Sequence, residues 1–197
     1  MVSVFHEKGF PFMTDNKEMP AEVSERKAAP SGLVNWKFVV VGVLVVAGYY
    51  GYGYFRAHPL EGKTAPPFVL PMLDNGTFAL DEHLGRRPVI LDFWAVWCPP
   101  CREGLPKIAE IAKGYDEDEI AFCAVNLGDA PDTVKNFLVS RDITAPVALD
   151  TDGVAADLYQ VSAIPMLVFI DGSGIVRHVH IGPMSADAVK QRIERIM

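Results

Sequence analysis

The sequence predicts an α/β fold, in which helices flank a central mixed β-sheet and a separate apolar helix precedes that domain. Beyond residue 65, short apolar runs of strand length alternate with segments of helical periodicity. The run Val89–Ala95 is apolar apart from one acid, and such a nearly continuous apolar run is expected of a central strand buried on both faces. Residues 38–55 carry no charge over about the length that crosses a bilayer.

The composition limits the function classes. Of the 197 residues, 50% are hydrophobic and 22% are charged, which is enough to build a packed core. The net charge of −7, without any basic cluster, argues against a nucleic-acid partner. Three cysteines are too few for a fold held together by disulfides. The number suggests one functional pair and one further cysteine.

The segment before the domain predicts a membrane anchor. Trp36 and the tyrosines of 49–54 bracket the uncharged stretch, as interfacial aromatic residues do. The alternatives are a buried core helix and a cleaved signal peptide. A start at Met13 or Met19 leaves cleavage open. The expected organisation is a mobile tail (1–36), a single transmembrane helix (37–56), a linker (57–64) and the α/β domain (65–197).

The predicted elements of the domain follow in order. Phe68–Leu70 and Phe78–Leu80 flank Asp74-Asn-Gly76, a strong signal for a hairpin. Pro99 and Pro100 follow the central strand and fit the first turn of a helix. Further strands are predicted at 120–127, 146–149, 166–170 and 175–181, and further helices through 134–138, 155–159 and 189–196.

The chemistry of the chain is concentrated in Trp97-Cys98-Pro99-Pro100-Cys101. A Cys-x-x-Cys between a strand and a helix places the first sulfur at unpaired helical N–H groups, which favours its thiolate. The second thiol can then resolve a mixed disulfide. Half of a zinc site is the alternative, but a second ligand pair is missing from the sequence.

Residues 62–197 resemble the thioredoxin fold, and in particular the membrane-anchored TlpA/ResA-like thiol–disulfide oxidoreductases. Three stretches carry the resemblance: Asp92-Phe-Trp-Ala-Val-Trp-Cys-Pro-Pro-Cys101, Ala163-Ile-Pro-Met166 and Gly62-Lys-Thr-Ala-Pro-Pro-Phe68. It implies an enzyme that exchanges a Cys98–Cys101 disulfide with protein substrates, more often as a reductant, for instance in cytochrome c maturation. It also implies no bound cofactor and an electron donor in the membrane.

The resemblance also implies roles for residues around the cysteines. Asp92 is expected to lie behind Cys101 and to relay its proton. Pro165 is expected to be cis, so that Ile164 pairs with an extended substrate segment. Trp97 is expected to cover the site. Where these relatives often carry a glutamate, three residues after the second cysteine, this chain has Gly104.

The charges on the two sides of the apolar stretch give only a slight orientation preference. The tail before it contains basic residues, but Arg56 and Lys63 directly follow it, so the positive-inside bias is small. A tethered dithiol pair is most useful in an oxidising compartment, so the tail is predicted inside and the domain extracytoplasmic, on the periplasmic side.

Two other functions remain open at the level of sequence. Cys98, Cys101 and a late histidine, His178 or His180, could form a copper-binding module. A peroxidase of the peroxiredoxin kind is disfavoured by the Cys-x-x-Cys placement. Cys123, among apolar neighbours, is predicted to be a buried inert thiol.

Overall fold

The computed structural model describes residues 36–54 and 57–197. They fall into two compact units divided at residues 52 and 53. The helices are α1 (Trp36–Tyr54), α2 (Pro99–Ala112), α3 (Pro131–Ser140), α4 (Val154–Leu158) and α5 (Ala186–Glu194). The strands are β1 (Val69–Pro71), β2 (Thr77–Ala79), β3 (Val89–Trp94), β4 (Ala121–Leu127), β5 (Val147–Asp150), β6 (Met166–Ile170) and β7 (Val176–Ile181).

Helix α1 covers most of the segment predicted as the anchor: it begins one residue before that segment, at Trp36, and residues 55 and 56 lie outside the described residues. It spans 19 residues, and the apolar side chains described along it are exposed. Among the described residues, no helix combines the length and the apolarity needed to cross a membrane. The predicted tail lies outside the described residues except for Trp36.

The main sheet confirms the predicted mixed α/β architecture. Its strand order is β5-β4-β3-β6-β7, with β3, β4 and β5 parallel and with β6 and β7 antiparallel to their neighbours. Strand β3 therefore has a partner on each side and helices or loops over each face, and all six of its residues are buried. This is why its sequence reads as a nearly continuous apolar run.

Alternation along β3 divides the domain into two layers. Val89, Leu91 and Phe93 pack into the core shared with the hairpin. Ile90 and Trp94 point to the other face, among side chains of α2. By the period of two, Asp92 lies on that second face, toward α2.

The predicted hairpin is present and lies beside the outer strand of the main sheet. Asn75 and Gly76 adopt positive φ angles of 79° and 86°, as the Asn-Gly signal predicts. The Leu73 N–H donates to the Val147 carbonyl at 2.9 Å, so the hairpin protects the edge strand β5 from pairing with other chains. A short 3₁₀ helix at Leu80–Glu82 follows and was not predicted.

Candidate active site

The junction between β3 and α2 places the two cysteines in the first turn of a helix. Cys98 is the N-cap residue, in extended conformation, and its Sγ accepts a hydrogen bond of 3.3 Å from the Cys101 N–H. Pro99 and Pro100 occupy the first two helical positions and have no N–H to donate. Of the first three residues of α2, only Cys101 therefore offers a backbone donor to this sulfur.

The two sulfurs form a disulfide bond. Their separation is 2.04 Å, and the Cys98 and Cys101 Cα atoms are 5.3 Å apart. Both residues are buried, with 3% and 1% of their surface exposed. The structure thus joins the pair that the sequence identified, in its oxidised form.

The loop before β6 approaches the disulfide. The Ile164–Pro165 peptide bond is cis, as the resemblance implies. The Ile164 carbonyl oxygen lies 3.8 Å from Cys98 Sγ, so backbone from a distant part of the chain borders the first sulfur. Such a backbone segment is suited to pairing with an extended peptide.

The two tryptophans near the cysteines have different environments. Trp97 is 68% exposed, so most of its ring surface is open to solvent next to Cys98. Trp94 is fully buried and its ring lies 5.5 Å from that of Phe137, centroid to centroid. Trp97 is consequently the aromatic side chain available to another protein, whereas Trp94 belongs to the core.

Asp92 carries a buried carboxyl group, one oxygen of which has no hydrogen-bond partner among the described residues to replace water. The residue is 1% exposed, and this oxygen is Oδ1. Burial raises the pKa of Asp92 to about 7 because the charged form loses its hydration. Its neighbour on β4 is Ala124, which packs in the same apolar cluster as Cys101. A group with this pKa can hold or release a proton near neutral pH.

A polar pair that the sequence did not reveal, the buried Asn126 and the half-buried Asp129, supports the loop before Cys98. Asp129 Oδ2 accepts hydrogen bonds from the Val96 N–H at 2.6 Å and from Asn126 Nδ2 at 2.9 Å. The Asp129 N–H in turn donates to Asn126 Oδ1 at 3.1 Å. The available signal was an Asn and an Asp three residues apart at the end of a strand, which favours a side-chain-capped turn. Its link to Val96 depends on the tertiary fold.

The remaining candidate residues lie in other environments. Cys123 is free and buried in β4, and burial raises its pKa to about 12, as expected of an inert thiol. His178 contacts Glu61 at 3.0 Å, and His180 Nε2 lies 3.2 Å from the Pro183 carbonyl. Among residues 36–54 and 57–197, no three His, Cys, Asp or Glu side chains are grouped as a metal site would require.

The chain is similar to known proteins in sequence and in fold. The model of the AhpC/TSA family matches residues 62–179. The thiol-disulfide oxidoreductase ResA of Geobacillus thermodenitrificans is 30% identical over 167 residues, covering 83% of this chain and 95% of that protein.

Two solved structures share the fold. A thiol:disulfide interchange protein of the thioredoxin family from Chlorobium tepidum is 28% identical, with a TM-score of 0.61 over 68% of this chain and 94% of the other. The pneumococcal exposed lipoprotein thioredoxin Etrx1, from Streptococcus pneumoniae, is 31% identical, with a TM-score of 0.59 over 66% of this chain and 99% of the other.

Proposed function

Since this chain belongs to the AhpC/TSA family and is a thiol–disulfide oxidoreductase of the thioredoxin fold, we propose that Cys98 is its nucleophile and Cys101 its resolving thiol toward extracytoplasmic proteins. One observation carries the assignment. Cys98 Sγ accepts the Cys101 N–H at the start of α2 and borders the Ile164 carbonyl, whereas Cys101 lies within the first turn of the helix. The helix end stabilises a thiolate on Cys98 when the pair is reduced.

The exchange proceeds in two displacements. In the reductive direction for the enzyme, a donor thiolate attacks Cys98 Sγ, the bond between the two cysteine sulfurs breaks, and the electron pair passes to Cys101. The second donor thiolate then attacks the donor sulfur of the mixed disulfide and releases Cys98 as a thiolate. Two electrons pass from a dithiol donor to the enzyme disulfide, and the same steps in reverse reduce a substrate.

Asp92 is proposed as the proton relay of this cycle. When Cys101 leaves as a thiolate, the neutral carboxyl group of Asp92 gives it a proton, and the carboxylate takes that proton back when Cys101 acts as resolving thiol. The pKa of about 7 supports this role because both protonation states are populated near neutral pH.

Substrate binding is proposed for three residues around the disulfide. The exposed ring of Trp97 offers apolar surface, and Ile164 with the cis Pro165 offers backbone to an extended segment. The recognised unit is then a cysteine with its flanking backbone. A cysteine pair of an extracytoplasmic protein, such as the haem-binding cysteines of apocytochrome c, is the substrate that the resemblance implies.

The first turn of α2 supports reduction of substrates as the physiological direction. With Pro99 and Pro100 in place, a Cys98 thiolate has a single backbone donor in that turn, from Cys101. Such a thiolate is less stabilised than one that also accepts an N–H from residue 99 or 100. The dithiol form is then less favoured relative to the disulfide, so the couple gives up electrons more readily. Electrons for the enzyme would come from a donor in the membrane.

Membrane attachment through residues 37–56 is part of the proposal. The exposed valines of α1 support it, and the exposed lipoprotein among the similar structures supports an extracytoplasmic position for the domain. Carbonate extraction of membranes from cells expressing the full chain tests attachment, with a chain lacking residues 1–56 as the control. Release of both proteins into the soluble fraction would contradict it.

The exchange reaction is tested by reduction of a protein disulfide with the full chain and a dithiol donor. We expect Cys98→Ser to abolish turnover and Cys123→Ser to retain it, because Cys123 is buried away from the reaction. The reduction potential of the Cys98–Cys101 couple, measured in the same preparation, tests direction: a value near −270 mV indicates a reductant and one near −120 mV an oxidant. Full turnover by Cys98→Ser would refute the assignment.

A further inference from the structure

A small cavity beside the active-site helix reaches the carboxyl group of Asp92. Its volume is about 90 Å³, which has room for several water molecules. Asp92 lines its buried end, and the exposed residues Glu103 and Lys107 of α2 line it as well. The cavity therefore connects a buried acid with the solvent-exposed surface of the helix.

Gly104 leaves this space free on the helix side. The backbone at Gly104 is helical, so its conformation does not require glycine. A Cβ atom built there meets nothing nearer than Ile108 Cδ1 at 4.0 Å, so close packing does not require glycine either. Glycine inside a helix is less favourable than alanine. What Gly104 provides is open volume next to Asp92.

The groups around the cavity are suited to holding water near Asp92. Asp92 Oδ1 is unpartnered, and a buried polar atom facing a cavity is where ordered water is found. Glu103 and Lys107 are the charged residues of α2 in the lining. On the opposite wall, His180 contacts the carbonyl of the lining residue Pro183. The strand neighbours of Asp92 are apolar, Ala124 on β4 and Leu167 on β6.

We propose that this cavity holds water and is the path by which Asp92 exchanges protons with solvent, and that Gly104 keeps the path open. The inference rests on the proposed function, in which Asp92 protonates Cys101 when the disulfide breaks. The resulting carboxylate regains its proton from solvent through the cavity. When the dithiol is oxidised, Asp92 first releases its proton to solvent by the same path, and its carboxylate then takes the proton of Cys101. Gly104 is a positioning residue because it acts through the water it admits.

The test fills the cavity in the full chain with Gly104→Leu. Excluding water desolvates the carboxyl group further, so we expect the pKa of Asp92, followed by infrared or NMR titration, to rise above the wild-type value. The exchange rate near pH 7 should fall about tenfold, the equivalent of one pKa unit, and its solvent deuterium isotope effect should increase. Gly104→Ala should give smaller changes in the same directions.

The matched control is Glu110→Leu, which adds a leucine to an exposed position of the same helix outside the cavity. It should leave the titration of Asp92 and the isotope effect at wild-type values. If Gly104→Leu fails to fold, as judged by circular dichroism, Met184→Trp fills the cavity from the opposite wall and is measured in the same way.

An unchanged titration of Asp92 and an unchanged isotope effect in the filled variants would overturn the inference, even with reduced activity, because altered packing alone lowers activity. Failure of the proposed function gives a different result. The wild-type chain would then not exchange disulfides, while the titration of Asp92 and its response to Gly104→Leu would still report on the cavity.

Discussion

Two strands of the main sheet each bury an aspartate, and the two carboxyl groups have opposite surroundings. Asp150, the last residue of β5, is 2% exposed and accepts hydrogen bonds from the Ala155 N–H at 3.2 Å and the Ala156 N–H at 2.8 Å, in the first turn of α4. Before α2, Asp92 is equally buried but has an unpartnered oxygen. Burial is thus common to both sites. The carboxyl group of Asp150 is satisfied by a helix end, whereas an oxygen of Asp92 has no such partner among the described residues, and it is Asp92 that we propose as the proton relay.

The largest difference should appear in the pH dependence of stability. Burial raises the pKa of Asp92 from 3.8 to about 7, so the folded state keeps a proton that the unfolded state releases above about pH 4. This stabilising contribution is complete below that pH and is lost as the pH rises to about 7, a loss of about 4 kcal/mol. Asp92→Asn removes it, which urea unfolding of the oxidised protein between pH 4 and 8 will show.

The matched variant for that measurement is Asp150→Asn, which replaces the other buried aspartate and so controls for the substitution itself. Unfolding curves of wild type and Asp92→Asn that stay parallel across this pH range would contradict a raised pKa at Asp92.

Catalysis should separate the same two residues. Because it removes the proposed proton donor of Cys101, Asp92→Asn is expected to lower the exchange rate at pH 7 about tenfold to a hundredfold. Asp150→Asn should stay within about twofold of the wild type, since its partners are N–H groups of α4 and not of the reacting helix. Stopped-flow measurement of disulfide exchange gives both values. Equal losses in the two variants would show that Asp92 acts through stability alone.

Removing the satisfied carboxylate should cost stability without affecting chemistry. Asp150→Ala leaves the N–H groups of Ala155 and Ala156 without their acceptor, and we expect the free energy of unfolding to fall by about 1–2 kcal/mol. Thermal and urea unfolding at pH 7 measure this change, and the exchange rate per folded molecule is the control. A variant as stable as the wild type would show that these two hydrogen bonds contribute nothing to folding.

The smallest effect is expected at Asp129, which holds the loop before Cys98 through the Val96 N–H. Asp129→Ala should lower the exchange rate about threefold, because losing the hydrogen bond to the Val96 N–H, of about 1 kcal/mol, loosens the position of the nucleophile. Asp132→Asn, at an exposed position in the first turn of α3, is the matched control. A rate equal to the wild type would mean that the loop is held by its packing.

Much of the fold could be predicted because its signals are local. The apolar run at Val89–Ala95 identified the central strand, and Asp74-Asn-Gly76 identified the hairpin turn. The cysteine pair also depends on spacing within one turn of helix. The burial of Asp92 could be predicted because it lies inside the apolar run of a strand that is buried on both faces.

The features that escaped prediction depend on distant parts of the chain meeting. Asp129 lies 33 residues from Val96, and their hydrogen bond needs β3 and β4 in register. The cavity forms only where α2 lies next to the segment around Met184. The sequence alone therefore could not predict that Gly104 would line a cavity. The 3₁₀ turn at Leu80–Glu82 is too short for a periodic signal.

The burial of Cys123 makes the oxidised protein a reporter of its own unfolding. With the other two cysteines joined, Cys123 is the single free thiol of the chain, enclosed in β4 with a pKa of about 12. An alkylating reagent reacts with the thiolate of an accessible sulfur, so labelling has to wait until the central sheet opens. Timed alkylation followed by mass spectrometry therefore counts opening events without added denaturant, one label for each molecule whose sheet has separated.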